Sequence, residues 1–84
     1  MKPLTRRQHE VLLLAASGHT SERIAHRLGI AATSVTTILT TAYRRLEARD
    51  RTHAVALAIW HGQITPADLA TIAGTAAPDR EQAA

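Results

Sequence analysis

The sequence contains no cysteine and no phenylalanine, and only one tryptophan and one tyrosine. Without cysteine, neither a disulfide framework nor a thiolate metal site can form. With so few aromatic rings, the core must come from Leu, Ile, Val and Ala, which suits packed helices better than a sheet. The longest apolar run near the N-terminus, Val11 to Ala16, is too short for a membrane span and lacks the layout of a secretion signal. A cytoplasmic protein without a membrane partner is expected. The five histidines, at 9, 19, 26, 53 and 61, have no His-x-x-x-His spacing and no carboxylate cluster nearby. They read as solvated surface, with no metal and no cofactor. No Ser-His-Asp set, paired carboxylate or Gly-rich phosphate loop is present, so an enzyme is not expected. There is no strand signal and no internal repeat.

What is present is helical and basic. The 84 residues allow one domain with one small core, which oligomerisation would usefully stabilise. Residues 1–64 hold nine Lys/Arg against Glu10, Glu22, Glu47 and Asp50, a net of +5. Residues 65–84 hold Arg80 against Asp68, Asp79 and Glu81, a net of −2. Nine of the ten cations are Arg, which can clamp phosphates and guanine edges with two bonds. A basic body permits nucleic-acid binding without proving it.

Helix signals follow one another along the chain. Thr5 and Gln8 form a capping box, so a helix starts near Arg6, with Leu4 placed as a hydrophobic staple. Val11, Leu12, Leu14 and Ala15 are its apolar positions, with Leu13 extra, and Gly18 can close it in a left-handed cap. Thr20 or Ser21 caps a second helix, with Glu22 in its first turn; it runs to about Leu28 and ends at Gly29. A third helix runs from near Ala32 to near Ala48. Its threonines at 33, 36, 37, 40 and 41 are mediocre helix formers, so packing through Val35, Leu39, Ala42 and Leu46 must hold it. Asp50 caps a fourth helix, from about Arg51 to His61, closed by Gly62. Thr65-Pro66-Ala67-Asp68 starts a short fifth, running to about Ala73 and stopping at Gly74. The expected division is a helical domain at 1–64, a short helix at 65–74 and a disordered tail at 75–84.

Two short helices joined by a Gly-containing turn, from Thr20 to Leu46, form a helix-turn-helix, whose second helix usually enters the DNA major groove. In register with that pair, Leu4-Thr5, Arg7, Glu10-Val11-Leu12, Ala16, Gly18, Ile24-Ala25, Leu28-Gly29-Ile30, Val35, Leu46, Arg51, Ala54/Val55 and Gly62/Ile64 make up a longer pattern. Over residues 4–64 that pattern resembles the LuxR/GerE-type DNA-binding domain. The resemblance implies an all-α, four-helix domain, here with a short extra C-terminal helix. It also implies dimerisation through the fourth helix. A signal-receiving domain, common in the family, is not seen before these residues, so the stand-alone kind is expected. The chain departs from the family at Arg23, usually Glu, at Thr36, usually a DNA-contacting Lys, at Ile38, usually His, and at Glu47, commonly Gly. Residues 4–46 also resemble region 4 of bacterial sigma factors, but Arg51 to Ile64 fits only the first family.

The expected function is sequence-specific duplex DNA binding by a homodimeric transcriptional regulator. Thr33, Thr36, Thr37, Thr40, Thr41 and Arg44 lie on the exposed side of the third helix. Thr hydroxyls can bond phosphates or bases and Thr methyls can touch thymine; Thr36, Thr37 and Thr40 are the base-reading candidates. The opposing reading is a polar solvent face that happens to be Thr-rich. Arg44 is the phosphate candidate, and Arg23, Arg27, Thr20 and Ser21 could flank the backbone from the second helix. Arg6 and Arg7 could do the same, although Arg7 could equally form a structural ion pair with Glu10 or Glu47. The fourth helix is apolar almost all round. Val55 and Ile59 are expected to face the core, leaving Ala56, Trp60 and His53 as the candidate dimer seam. The alternative function is an interaction module that contacts RNA polymerase, a sigma factor or another regulator. The missing Lys at position 36, and exposure of Ile38 or Leu39, would favour it. A sigma region 4-like fragment is a third, weaker reading.

Overall fold

The computed structural model describes residues 2–72. Its helices are α1 (Arg6–Ala16), α2 (Ser21–Leu28), α3 (Ala32–Leu46) and α4 (Arg51–Trp60), followed by α5 at 66–72. The described residues contain no strand, in line with a composition that suits packed helices better than a sheet. The expected end of α5 at Ala73 and Gly74 and the expected tail at 75–84 lie outside the described residues.

Local chemistry sets each boundary. At α1 the capping box is complete: Gln8 N–H donates to Thr5 Oγ1 at 3.2 Å and Thr5 N–H donates to Gln8 Oε1 at 2.9 Å. Thr20 caps α2 by accepting from Arg23 N–H at 3.2 Å, and Gly29 closes it in the left-handed region at φ 69°. Asp50 caps α4 by accepting from His53 N–H at 2.9 Å. A second capping box starts α5, where Asp68 N–H donates to Thr65 Oγ1 and Thr65 N–H donates to Asp68 Oδ2. The bond from the Thr65 amide holds the Asp68 carboxyl below its usual value of 3.8, with smaller help from the Thr65 hydroxyl and His9.

α3 differs from its neighbours at both ends. Its N-cap is Ala31, which supplies no side-chain bond. It stops at Leu46, two residues short of the expected end, because Glu47 turns left-handed at φ 59°. Ala48 N–H then donates back to Tyr43 O at 2.8 Å, a Schellman-type closure. Glycine is the residue that adopts this conformation without a Cβ penalty. Glu47 thus holds a glycine-favouring conformation at the position where the family resemblance implies Gly.

The core collects one stripe from each helix. Val11, Leu12 and Ala15 of α1 meet Ile24 and Ala25 of α2, Val35, Leu39, Ala42 and Leu46 of α3, and Ala54 and Ala58 of α4. Ile64 enters from beyond Gly62, which carries φ 76°. The core stripe of α4 corrects the expected one. Ala54 and Ala58 face inward at 0% exposure, Val55 is half-buried, and Ile59 is 42% exposed. Two alanines four residues apart let the α4 backbone approach its neighbours closely, and the larger Ile64 occupies space beside them. α5 lies against α1, where His9 Nε2 and Asp68 Oδ2 are 3.4 Å apart. His9 is therefore half-buried, and so is His19, contrary to the solvated surface expected for both.

A tightly packed alanine cannot grow without strain. Ala58→Leu should destabilise the fold by about 1–3 kcal/mol, whereas Ala56→Leu, at an exposed position, should stay within roughly 0.5 kcal/mol. Chemical denaturation of the two variants at a protein concentration where wild type is monomeric checks the assignment.

Candidate nucleic-acid interface

α2 and α3 pack against each other across a turn from Gly29 to Ala31, and Ile30 N–H donates to Ala25 O at 3.1 Å to tighten it. α3 buries Val35, Leu39, Ala42 and Leu46. Its periodicity then fixes the opposite side. At 100° per residue, Thr37 and Arg44 point most directly away from the core, flanked by Thr33 and Thr40. All four are exposed, as is Thr36, while Thr41 is half-buried at the edge of this face. Between Ala32 and Tyr43 the helix carries no charged or amide side chain.

Three of the threonines bond their own helix. Thr36 Oγ1 donates to Ala32 O at 3.2 Å, Thr37 Oγ1 to Thr33 O at 3.1 Å, and Thr41 Oγ1 to Thr37 O at 2.9 Å. This i−4 back-bonding is the local habit of helical Thr. It holds the side chains in fixed rotamers on the outer face. Thr20, Arg23 and Arg27 of the α2 region are exposed, and Ser21 is half-buried.

The cations divide into tethered and untethered. Arg7 pairs with Glu10 at 3.0 Å, one of the two partners its position allowed. Both side chains are about half exposed, so the pair contributes little to stability. Arg45 Nη1 donates to Pro3 O at 2.8 Å, and Lys2 N–H donates to Arg45 O at 3.2 Å. Arg51 Nη1 donates to His19 O at 3.3 Å. Arg23, Arg27 and Arg44, by contrast, have no ion pair among the described residues. Among the cations on α2 and α3, these three are available to an anionic ligand.

The structure adds one residue that sequence reasoning passed over. Lys2 joins Thr41, Arg44, Arg45 and Glu47 around a shallow cleft of about 440 Å³. Three cations thus gather at the C-terminal end of α3, where the helix dipole favours positive charge. Nothing periodic marks Lys2 in the sequence, because a contact spanning more than forty residues creates it. At α4, Ala56 and Trp60 are exposed, Trp60 at 83%, and His53 is half-buried. His53 Nδ1 accepts from Arg49 N–H at 3.0 Å, so that ring already has a local role.

A short helix, a turn closed by left-handed Gly, and a second helix buried on one face and polar on the other define a helix-turn-helix domain. The chain belongs to the GerE family, the luxR family of bacterial regulatory proteins, which it matches over residues 2–58. It is 42% identical over 53 residues to the HTH-type transcriptional regulator MalT of Vibrio cholerae serotype O1, covering 63% of this chain and 6% of that protein. It is 44% identical over 63 residues to the transcriptional activator protein BjaR1 of Bradyrhizobium diazoefficiens, covering 75% of this chain and 26% of that protein. The chain thus spans a minor part of the length of both curated relatives. No helix among the described residues is long and apolar enough to cross a membrane.

The division of the arginines has a stability signature. Arg45→Ala removes the bond that ties the N-terminal segment to α3 and should cost about 0.5–1.5 kcal/mol. Arg44→Ala and Arg27→Ala remove no partner within the fold and should stay within roughly 0.5 kcal/mol. Thermal melts of the three variants, followed by circular dichroism, check this order.

Proposed function

We propose that this domain binds duplex DNA sequence-specifically, with α3 in the major groove, and serves transcriptional regulation as a homodimer. One observation carries the reading. The outer face of α3 is a continuous strip of threonines, with Thr36 and Thr37 fixed by back-bonds, ending in an untethered arginine and held outward by a buried stripe on the same helix. Threonines can contact base edges at the start and centre of the helix, and Arg44 can anchor a phosphate at its end. The net +5 of residues 1–64 supplies the long-range attraction. The regulator names of the two relatives agree with this reading. For the interaction-module alternative, Thr36 in place of the usual Lys speaks in its favour, whereas the apolar residues of α3 do not: Leu39 is 4% exposed and Ile38 is half-buried against the core.

The homodimer reading rests on α4. Ala54 and Ala58 satisfy the core, which leaves Ala56, Ile59 and Trp60 on the outer side. A two-fold seam there suits a small domain whose own core is marginal. It would set two reading helices ~34 Å apart, one turn of DNA, in successive major grooves.

Selection of bound fragments from a random DNA pool tests both parts, and enrichment of an inverted repeat is the expected result. Binding to the selected site should weaken steeply with salt, with about −0.9 in the log–log slope for each phosphate neutralised. Arg44→Ala should weaken specific and random duplexes alike and flatten that slope by about 1. Fluorescence anisotropy across a salt series reads both quantities. Failure to bind any duplex at low salt would transfer the function to a protein partner.

Ala56→Asp should yield a folded monomer with much weaker binding to a two-half-site operator, because a charge would be buried in the seam. Light scattering reports the mass and circular dichroism the fold. A wild-type protein that stays monomeric at high concentration, both free and on DNA, contradicts the seam.

A further inference from the structure

We infer that Thr36 and Thr37 on the α3 face select thymine methyl groups in the half-site and avoid guanine edges at the positions they meet. The inference rests on the DNA-binding reading above and names what that face recognises. It follows from the state of the hydroxyls. A Thr hydroxyl has one hydrogen to donate. In Thr36 and Thr37 that hydrogen is engaged by the carbonyls of Ala32 and Thr33, at 3.2 and 3.1 Å. Both residues are exposed, so each offers a ligand one methyl group and the remaining lone pairs of its oxygen. Neither offers a donor.

The major groove sorts base pairs against such a face. Guanine presents two acceptors, N7 and O6, which meet oxygen lone pairs with repulsion. Adenine presents its N6 amino group, which a Thr oxygen can accept. Thymine presents its C5 methyl, which packs against a Thr methyl. Cytosine has an amino donor but no methyl. An A·T pair therefore satisfies both halves of the Thr side chain, and a G·C pair at most one. Turning a hydroxyl toward guanine O6 would forfeit its bond to the helix carbonyl.

A second observation removes the usual readers of guanine. No Arg, Lys, Asn or Gln lies between Ala32 and Tyr43, so no long fork reaches the base edges from the first three turns of α3. Recognition there must use short side chains, and methyl contacts require the helix to lie close against the bases. Thr40, exposed on the same side, makes no back-bond among the described residues and keeps a hydroxyl donor. Arg44, one turn further on, is suited to the backbone.

The test uses the duplex recovered by selection. Each thymine is replaced in turn by deoxyuridine, which lacks only the C5 methyl. At least one thymine per half-site should lose about fourfold in affinity, the value of one buried methyl-sized group. Thr37→Ser or Thr36→Ser, which removes the protein methyl, should reproduce that loss on the thymine duplex and show no further loss on the deoxyuridine duplex. Thr37→Val, which keeps the methyl and discards the hydroxyl, should retain the preference for thymine over deoxyuridine. Both positions are exposed, and circular dichroism verifies that each variant is folded. Full-affinity binding that is blind to every deoxyuridine replacement overturns the inference while leaving DNA binding intact. So does a selected site with guanine at the positions sensitive to Thr36 and Thr37. No binding to any duplex overturns the DNA-binding reading and this inference together.

Discussion

The structure depends on the burial of one side of α3. Val35, Leu39, Ala42 and Leu46 are between 0% and 4% exposed, and α3 packs on α1, α2 and α4 through them. Beyond the closure at its C-terminal end, little that is local would hold this helix. It has no side-chain cap at its N-terminus, a left-handed Glu at its C-terminus and five threonines within it. Each Thr costs at most about 0.7 kcal/mol relative to Ala. Each fully buried Val or Leu returns roughly 1.5–3 kcal/mol relative to exposure. Packing therefore outweighs propensity, and the poor helix formers can be placed outward where their polar groups and methyls are available.

The same constraint organises the rest of the chain. α1 and α4 supply apolar surface to the inner side of α3, and α2 fixes its entry angle through the turn at Gly29. The N-terminal segment is tied to the far end of α3 by Arg45, which brings Lys2 beside Arg44. α4 reaches this core with alanines, so its large residues, Ile59 and Trp60, are left outside. One helix face is thus assigned inward and its opposite outward at each step, and the outward faces of α3 and α4 become the surfaces proposed for DNA and for a second subunit.

Much of this was legible in the sequence, because its signals are local. Thr5 with Gln8, Thr20, Asp50 and Thr65 with Asp68 cap their helices as their spacing predicts. The 3.6-residue period of Val35, Leu39, Ala42 and Leu46 located both faces of α3. The period failed at α4, where Ala54 to Trp60 are all apolar and every stripe looks alike. Choosing among those stripes depends on the space between α1 and α3, which no local pattern encodes. The end of α3 was set two residues too late because Glu47 gives no glycine signal, although it adopts a glycine-like conformation. The tethering of Arg45 and Arg51, and the half-buried settings of His9 and His19, arise from contacts between distant segments and leave no mark on neighbouring residues.

The central claim is that the outer face of α3, held in place by its buried stripe, is the surface that meets DNA. Amide chemical-shift perturbation on adding a selected duplex measures it most directly. The account predicts the largest shifts at Thr33, Thr36, Thr37, Thr40 and Arg44, with a second set at Thr20 to Arg23 and the buried stripe little changed. Perturbations centred instead on α4, or on the contact of α1 with α5 at His9 and Asp68, with α3 silent, would contradict it.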